Sequence, residues 1–190
     1  MVILFLSFRL LLGILCPQNL KRQDVLSWIV LGVLKTLFHN LLVVRNKETM
    51  LASGVISLLE EMISNPSSQG PAAALYLNLS CLEEAKPIIG TSPAVSFLTQ
   101  LLRADVETQC KLDALHTLYN LSGVQSNIPK LISAGISSGL QSLLADSGDQ
   151  MWTEKCIAVL INLGSSSSAG DEMMSNLSLI SALATISTVV

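Results

Sequence analysis

The sequence predicts an all-α chain built as a stack of helical repeats, and three observations carry that prediction. First, Asn78-Leu79-Ser80, Asn120-Leu121-Ser122 and Asn162-Leu163-Gly164 recur at intervals of 42 residues, each closing an apolar stretch (AAALYL, ALHTLY, CIAVLI). A fixed period of that length marks a repeat array. Second, Leu59, Leu98, Leu140 and Leu183 recur at 39, 42 and 43 residues, and Met62, Leu101, Leu143 and Ile186 follow them three residues later. Positions i and i+3 share a helix face, so each pair is an inward stripe. Third, no segment sustains the period-two alternation of a strand.

Composition agrees with this reading. Of 190 residues, 50% are hydrophobic and 13% charged, with a mean hydropathy of +0.56, which excludes disorder over most of the chain. Aromatics are only 4%, so the core is aliphatic, a mix that suits helices. A pI near 5.3 argues against a basic nucleic-acid binder.

The N-terminal segment, 1–36, stands apart. Residues 1–48 carry six basic groups against Asp24 and Glu48, whereas 49–190 carry five against twelve acidic groups. The run 1–16 is apolar but lacks the basic start and small-residue cleavage site of a secretory signal, and Arg9 interrupts it. A second apolar run, 25–44, holds Lys35 near its centre. A spanning helix needs about 20 mostly apolar residues, and a central Lys costs roughly 2.5–3.5 kcal/mol on insertion. Both runs are therefore marginal as membrane spans.

The repeats follow. Their units are about 52–90, 91–132 and 133–174, with partial units at each end of 37–190. Each unit opens at a corner: Ser53-Gly54, Ser92-Pro93 or Ala134-Gly135. A helix comes next, over 56–64, 95–103 and 137–145. Loops with helix-start residues then intervene: Asn65-Pro66-Ser67-Ser68, Ala104-Asp105, and Asp146 to Asp149. Asn, Asp and Ser supply side-chain acceptors for a helix's free N–H groups. The last helix of each unit runs to its Asn-Leu. Six residues before the Asn the side chain is small (Ala72, Ala114, Cys156), and two before it is large (Tyr76, Leu118, Leu160).

These units resemble armadillo repeats, in which a short helix ends in Gly, a second helix follows, and a third ends in Ala-Leu-x-Asn-Leu. The stretches NKETMLASGVISLLEEMI, GPAAALYLNLSCLEEAKPIIG and KLDALHTLYNLS resemble, more narrowly, the armadillo region of plant U-box ubiquitin ligases. The resemblance covers about 37–190. It implies a right-handed armadillo solenoid of about three and a half repeats, behind an atypical apolar leader. Nothing in 1–36 resembles a U-box or an armadillo helix. The expectation is a fragmentary or alternatively spliced product, an unrelated leader joined to a partial array.

The resemblance also implies a function: a protein-interaction module from the substrate-binding region of such a ligase, without enzymatic activity of its own. In armadillo proteins the third helices line a groove, and their Asn side chains bond an extended peptide. By position that role falls to Asn78, Asn120 and Asn162, with His116 one turn before Asn120. An amide offers a peptide unit both a donor and an acceptor. The alternative is that each Asn satisfies its own helix's last carbonyls, and the sequence leaves both open. Ala74, His116 and Ala158 stand where nuclear-import receptors carry Trp, which argues against recognition of nuclear signals. Lys111 and Lys155 are offset by Asp113 and Glu154, so an acidic ligand is not favoured.

No other constellation carries chemistry. Cys16, Cys81, Cys110 and Cys156 form no Cys-x-x-Cys pair, so neither zinc nor a disulfide framework is indicated, and the expected compartment is cytoplasmic or nuclear. Asp113 lies three residues before His116, but no nucleophile completes a triad. Trp152 and Tyr119 read as packing residues. The Asn-x-Ser matches at Asn78, Asn120 and Asn176 carry meaning only in a secreted protein. No cofactor is expected. The expected partner is a protein or extended peptide, with a full-length U-box relative as a further candidate. A membrane-anchored armadillo scaffold is the alternative reading.

Overall fold

The computed structural model describes residues 44–146 and 150–166, together with 170, 175, 176, 179–181, 183 and 184. The chain divides into two compact units, Met1–Asn46 and Lys47–Val190. Of the first, only 44–46 are described, so the apolar run 1–16, Arg9, Lys35 and Cys16 lie outside the described residues. So do Ile186 and the loop 147–149.

Among the described residues there is no strand, and the helices fall into triplets. Helices α1 (Val44–Ala52), α2 (Val55–Met62) and α3 (Gln69–Leu79) form the first. The second is α4 (Ala85–Thr91), α5 (Ala94–Leu101) and α6 (Thr108–Ser122). The third is α7 (Ile128–Ser133), α8 (Ile136–Asp146) and α9 (Gln150–Gly164). This is the all-α repeat stack that the sequence predicts. A unit counted from its corner takes in the short first helix of the following triplet.

The corner between first and second helices is made in two ways. At α1–α2 and α7–α8 it is a glycine in the left-handed region, Gly54 at φ 79° and Gly135 at φ 77°. A side chain would clash with its own backbone there. At α4–α5 no glycine is needed. Ser92 is extended (φ −82°, ψ 168°), its hydroxyl donates to Ile89 O at 2.8 Å, and its Oγ accepts from Ala94 N at 3.2 Å. Pro93 then opens α5 where its missing N–H costs nothing.

The corner before the third helix also varies. Asn65 Oδ1 accepts from Ser67 N at 3.2 Å and from Ser67 Oγ at 2.9 Å, starting the 3-10 turn Pro66–Ser68 that leads into α3. Before α6, Asp105 does not cap. The helix begins at Thr108, and Glu107 O accepts from Cys110 N at 2.9 Å. Backbone satisfies the first turn there, so the side-chain signal in the sequence falls short of the helix start.

The core runs between triplets. Helix α6 packs against α3 on one side, α9 on the other, and α5. Ala72, Ala114 and Cys156 are fully buried, and their small size lets neighbouring third helices approach. Leu79, Leu121 and Leu163 of the Asn-Leu pairs are fully buried too. The second-helix stripes point inward: Leu59 with Met62, Leu98 with Leu101, and Leu140 with Leu143 are all buried. Each such side chain contributes about 1.5–3 kcal/mol over its exposed state. Leu183, from the fourth predicted pair, is helical and half-buried.

Buried polar groups are mostly absorbed by the backbone. Thr99 Oγ1 donates to Val95 O and Thr117 Oγ1 to Asp113 O, at 2.8 and 2.7 Å. Asn127, in the 3-10 turn Gln125–Asn127, goes further and ties two helices. Its Nδ2 donates to Lys86 O of α4 and Leu121 O of α6, both at 3.1 Å. Leu121 O, near the end of α6, also accepts from Val124 N at 3.1 Å, so the carboxamide is a further donor to it.

Candidate peptide-binding face

The third helices present one line of side chains. Ala74 with Asn78, His116 with Asn120, and Ala158 with Asn162 stand one turn apart on α3, α6 and α9, and all six are half-buried. The neighbouring Leu of each Asn-Leu pair is fully buried. Consecutive helical residues diverge by about 100°, so the leucine anchors the helix while the amide stays at the surface.

The amides are not idle. Asn120 Nδ2 donates to Ser80 Oγ at 2.9 Å, and Asn162 Nδ2 donates to Ser122 Oγ at 2.9 Å. The receiving serine is two residues past the Asn of the preceding triplet. Each serine in turn donates to its own helix, Ser80 to Leu77 O at 2.8 Å and Ser122 to Tyr119 O at 2.7 Å. Asn78 bonds within its helix instead, its Nδ2 donating to Ala74 O at 2.8 Å. Asn120 and Asn162 thus bond across units. Asn78 reaches a carbonyl one turn back rather than the last carbonyls of α3. Ser80 and Ser122 are the residues that sequence reasoning passed over. Their period was visible, but the partner across the stack was not.

Around His116 the charges are mixed. Burial pushes its imidazole below the ordinary histidine value, Lys155 pushes it further the same way, and Asp113 opposes. The ring is therefore neutral near pH 7. Asp113 is buried and its carboxylate accepts from Gln109 Nε2 at 2.8 Å. Lys155 Nζ stands 4.4 Å from the centre of the Tyr119 ring, a cation–π contact between α9 and α6. Tyr119 therefore holds a lysine of the next unit, and Trp152 is buried.

The two buried thiols, Cys110 and Cys156, offer no nucleophile. Burial, then Asp113 and Glu107, raise Cys110, and burial pushes Cys156 up to about 12. Both stay protonated and unreactive at neutral pH. Among the described residues no group of His, Cys, Asp and Glu could hold a metal ion, and no helix is long and apolar enough to cross a membrane.

Comparison with known proteins agrees with this architecture. No family model matches the chain. An engineered protein solved by the Northeast Structural Genomics Consortium superposes with a TM-score of 0.64 over 88% of this chain and 68% of that one, at 18% identity, a likeness of fold alone. U-box domain-containing protein 7 of Arabidopsis thaliana is 61% identical over 137 residues, 72% of this chain and 18% of that protein. U-box domain-containing protein 6 of the same plant is 62% identical over 130 residues, 68% of this chain and 17% of its own length. U-box domain-containing protein 45, also from Arabidopsis, is 58% identical over 142 residues, 75% and 18% of the two chains. The chain thus spans less than a fifth of the length of these relatives. Over most of its own length it is a homologue of part of the plant U-box domain-containing proteins.

Proposed function

We propose that this chain is a protein-interaction module, the substrate-binding region of a U-box type ubiquitin ligase, and that its third-helix face receives an extended peptide. The observation that carries the reading is the half-buried line of Asn78, Asn120 and Asn162, with His116 beside it, on three stacked helices. An amide at regular spacing suits a ligand whose own amides are regularly spaced, and an extended chain is such a ligand. The kinship ties the chain to the ubiquitin pathway. Nothing in 1–36 resembles a U-box, so the chain is not expected to transfer ubiquitin by itself, and it works in the cytoplasm or nucleus beside a full-length U-box relative. Two measurements test this. Mixed with ubiquitin, an activating enzyme and a conjugating enzyme, the 190-residue chain should build no ubiquitin chains. It should retain short peptides from a random-sequence array and lose them in the Asn120→Ala, Asn162→Ala double variant. Unchanged retention by that variant would remove the groove from the proposal.

A further inference from the structure

We propose that Ser80 and Ser122 are positioning residues of the peptide face, which preset Asn120 and Asn162 to accept backbone N–H groups from an extended ligand. This rests on the reading of the third-helix face given above. The inference comes from the direction of two hydrogen bonds in series. Ser122 Oγ–H donates to Tyr119 O at 2.7 Å, which commits its proton. What remains on Oγ is lone pairs, and Asn162 meets them with Nδ2 at 2.9 Å. The same relay runs from Asn120 Nδ2 through Ser80 Oγ to Leu77 O, at 2.9 and 2.8 Å. If either carboxamide turned over, its oxygen would face the lone pairs of a serine oxygen that has no proton to give. The relay therefore settles which end of each amide faces the serine. Oδ1 is left for an outside donor, and one Nδ2 proton remains beside it.

The consequence is preorganisation. A free Asn side chain would have to be ordered when the ligand arrives, whereas a locked one is already in place. The lock recurs at two successive junctions, because Ser80 orients Asn120 and Ser122 orients Asn162. Asn78 differs, since its Nδ2 is held by its own Ala74 O, and among the described residues no serine relay reaches it. The ligand class follows from the exposed acceptor. It is an extended segment with free backbone N–H groups opposite Asn120 and Asn162, and a proline at either point lacks the donor.

The test uses the full 190-residue chain and peptides it retains from a random-sequence array, each remade with single backbone N-methylations. Affinities are measured below the melting transition of every variant, so that a loss of stability alone does not register. Ser80→Ala and Ser122→Ala should each weaken binding roughly three- to tenfold. Ser122→Thr, which keeps the hydroxyl, should restore it. N-methylation should abolish binding at one or two positions only, and the Asn162 side-chain amide protons should shift in Ser122→Ala without ligand. If Asn162→Ala weakens binding but Ser122→Ala does not, the positioning role is wrong while the groove stands. If no peptide is retained, or Asn162→Ala binds as the parent does, both readings fall.

Discussion

The carboxamide of Asn127 lies where a side chain at Gly90 would begin, so α4 and the turn before α7 touch through a residue that has no Cβ. Asn127 is 1% exposed and holds Lys86 O and Leu121 O through one nitrogen. Its Oδ1 is buried beside Gly90 with no hydrogen-bond partner among the described residues. Gly90→Ala should therefore expel the amide or shift α4, costing about 1–3 kcal/mol as overpacking does. Losing the Nδ2 bonds would add about 0.5–1.5 kcal/mol for each, and Leu121 O would keep its bond from Val124 N. In an Asn127→Gly background the same Gly90→Ala change should cost much less, and a double-mutant cycle by urea melts measures the coupling.

That contact shows where the sequence stops being legible. One period before Asn127 stands Ala85, and one period after Gly90 stands Ile132, so a search for repeats passes over both. The Asn-Leu positions were legible because burial enforces the same face on every third helix. Leu79, Leu121 and Leu163 must point inward, and the amide beside them must not. The Ser80 and Ser122 relays lay half in view. Their residues repeat, but which helix they serve depends on the spacing between helices, and no one-dimensional pattern encodes that. Asp105 misled for the opposite reason, because a helix-start residue signals a cap only if the backbone does not close the turn first.

The two corner solutions make a comparison possible. Gly54→Ala and Gly135→Ala force a side chain into the left-handed region, and each should cost about 1–2 kcal/mol. Ser92→Ala leaves the backbone path unstrained but removes the hydroxyl that bridges Ile89 O and Ala94 N, and should cost about 1 kcal/mol. Shifts in urea midpoint at constant m-value would report all three.

Acid should weaken the fold through His116. Its folded-state value lies below the ordinary one, owing first to burial and then to Lys155, with Asp113 opposing. The unfolded chain therefore binds more protons as pH falls through the histidine range. The contribution is fully present above the unfolded value and is lost as pH drops towards the folded one. His116→Gln should flatten this part of the stability profile. An NMR titration should place the His116 midpoint below that of a free histidine, and Lys155→Met should move it upward.

Thiol chemistry should separate the cysteines of the described region. Cys81 is exposed, whereas Cys110 and Cys156 are buried with raised thiol values, Cys156 to about 12. A maleimide at neutral pH should modify Cys81 in the native protein and reach the other two only in denaturant. Peptide mapping by mass spectrometry distinguishes the sites. Native labelling of Cys156 would mean that α9 opens from α6 far more readily than its buried face suggests.

Tyr76 tests whether one unit's departure from the repeat stabilises it. Where the other third helices carry Leu118 and Leu160, α3 carries a fully buried tyrosine. Its ring meets Phe97 at 6.5 Å between centroids, tilted by 50°, and aromatic pairs in such geometry contribute about 0.5–1.5 kcal/mol beyond burial. Its hydroxyl, however, is buried with no hydrogen-bond partner among the described residues. Burial, and then Glu60, raise its pKa, so the phenol stays neutral. An unpaired buried hydroxyl costs about 1–3 kcal/mol, and phenylalanine removes it while keeping the ring. Tyr76→Phe should therefore match or exceed the parent in stability, by up to about 1–2 kcal/mol. Tyr76→Leu, which copies the other units, should be less stable than Tyr76→Phe because Phe97 loses its aromatic partner. Urea midpoints of the three proteins decide it, and a clear loss in Tyr76→Phe would mean that the hydroxyl is bonded in solution.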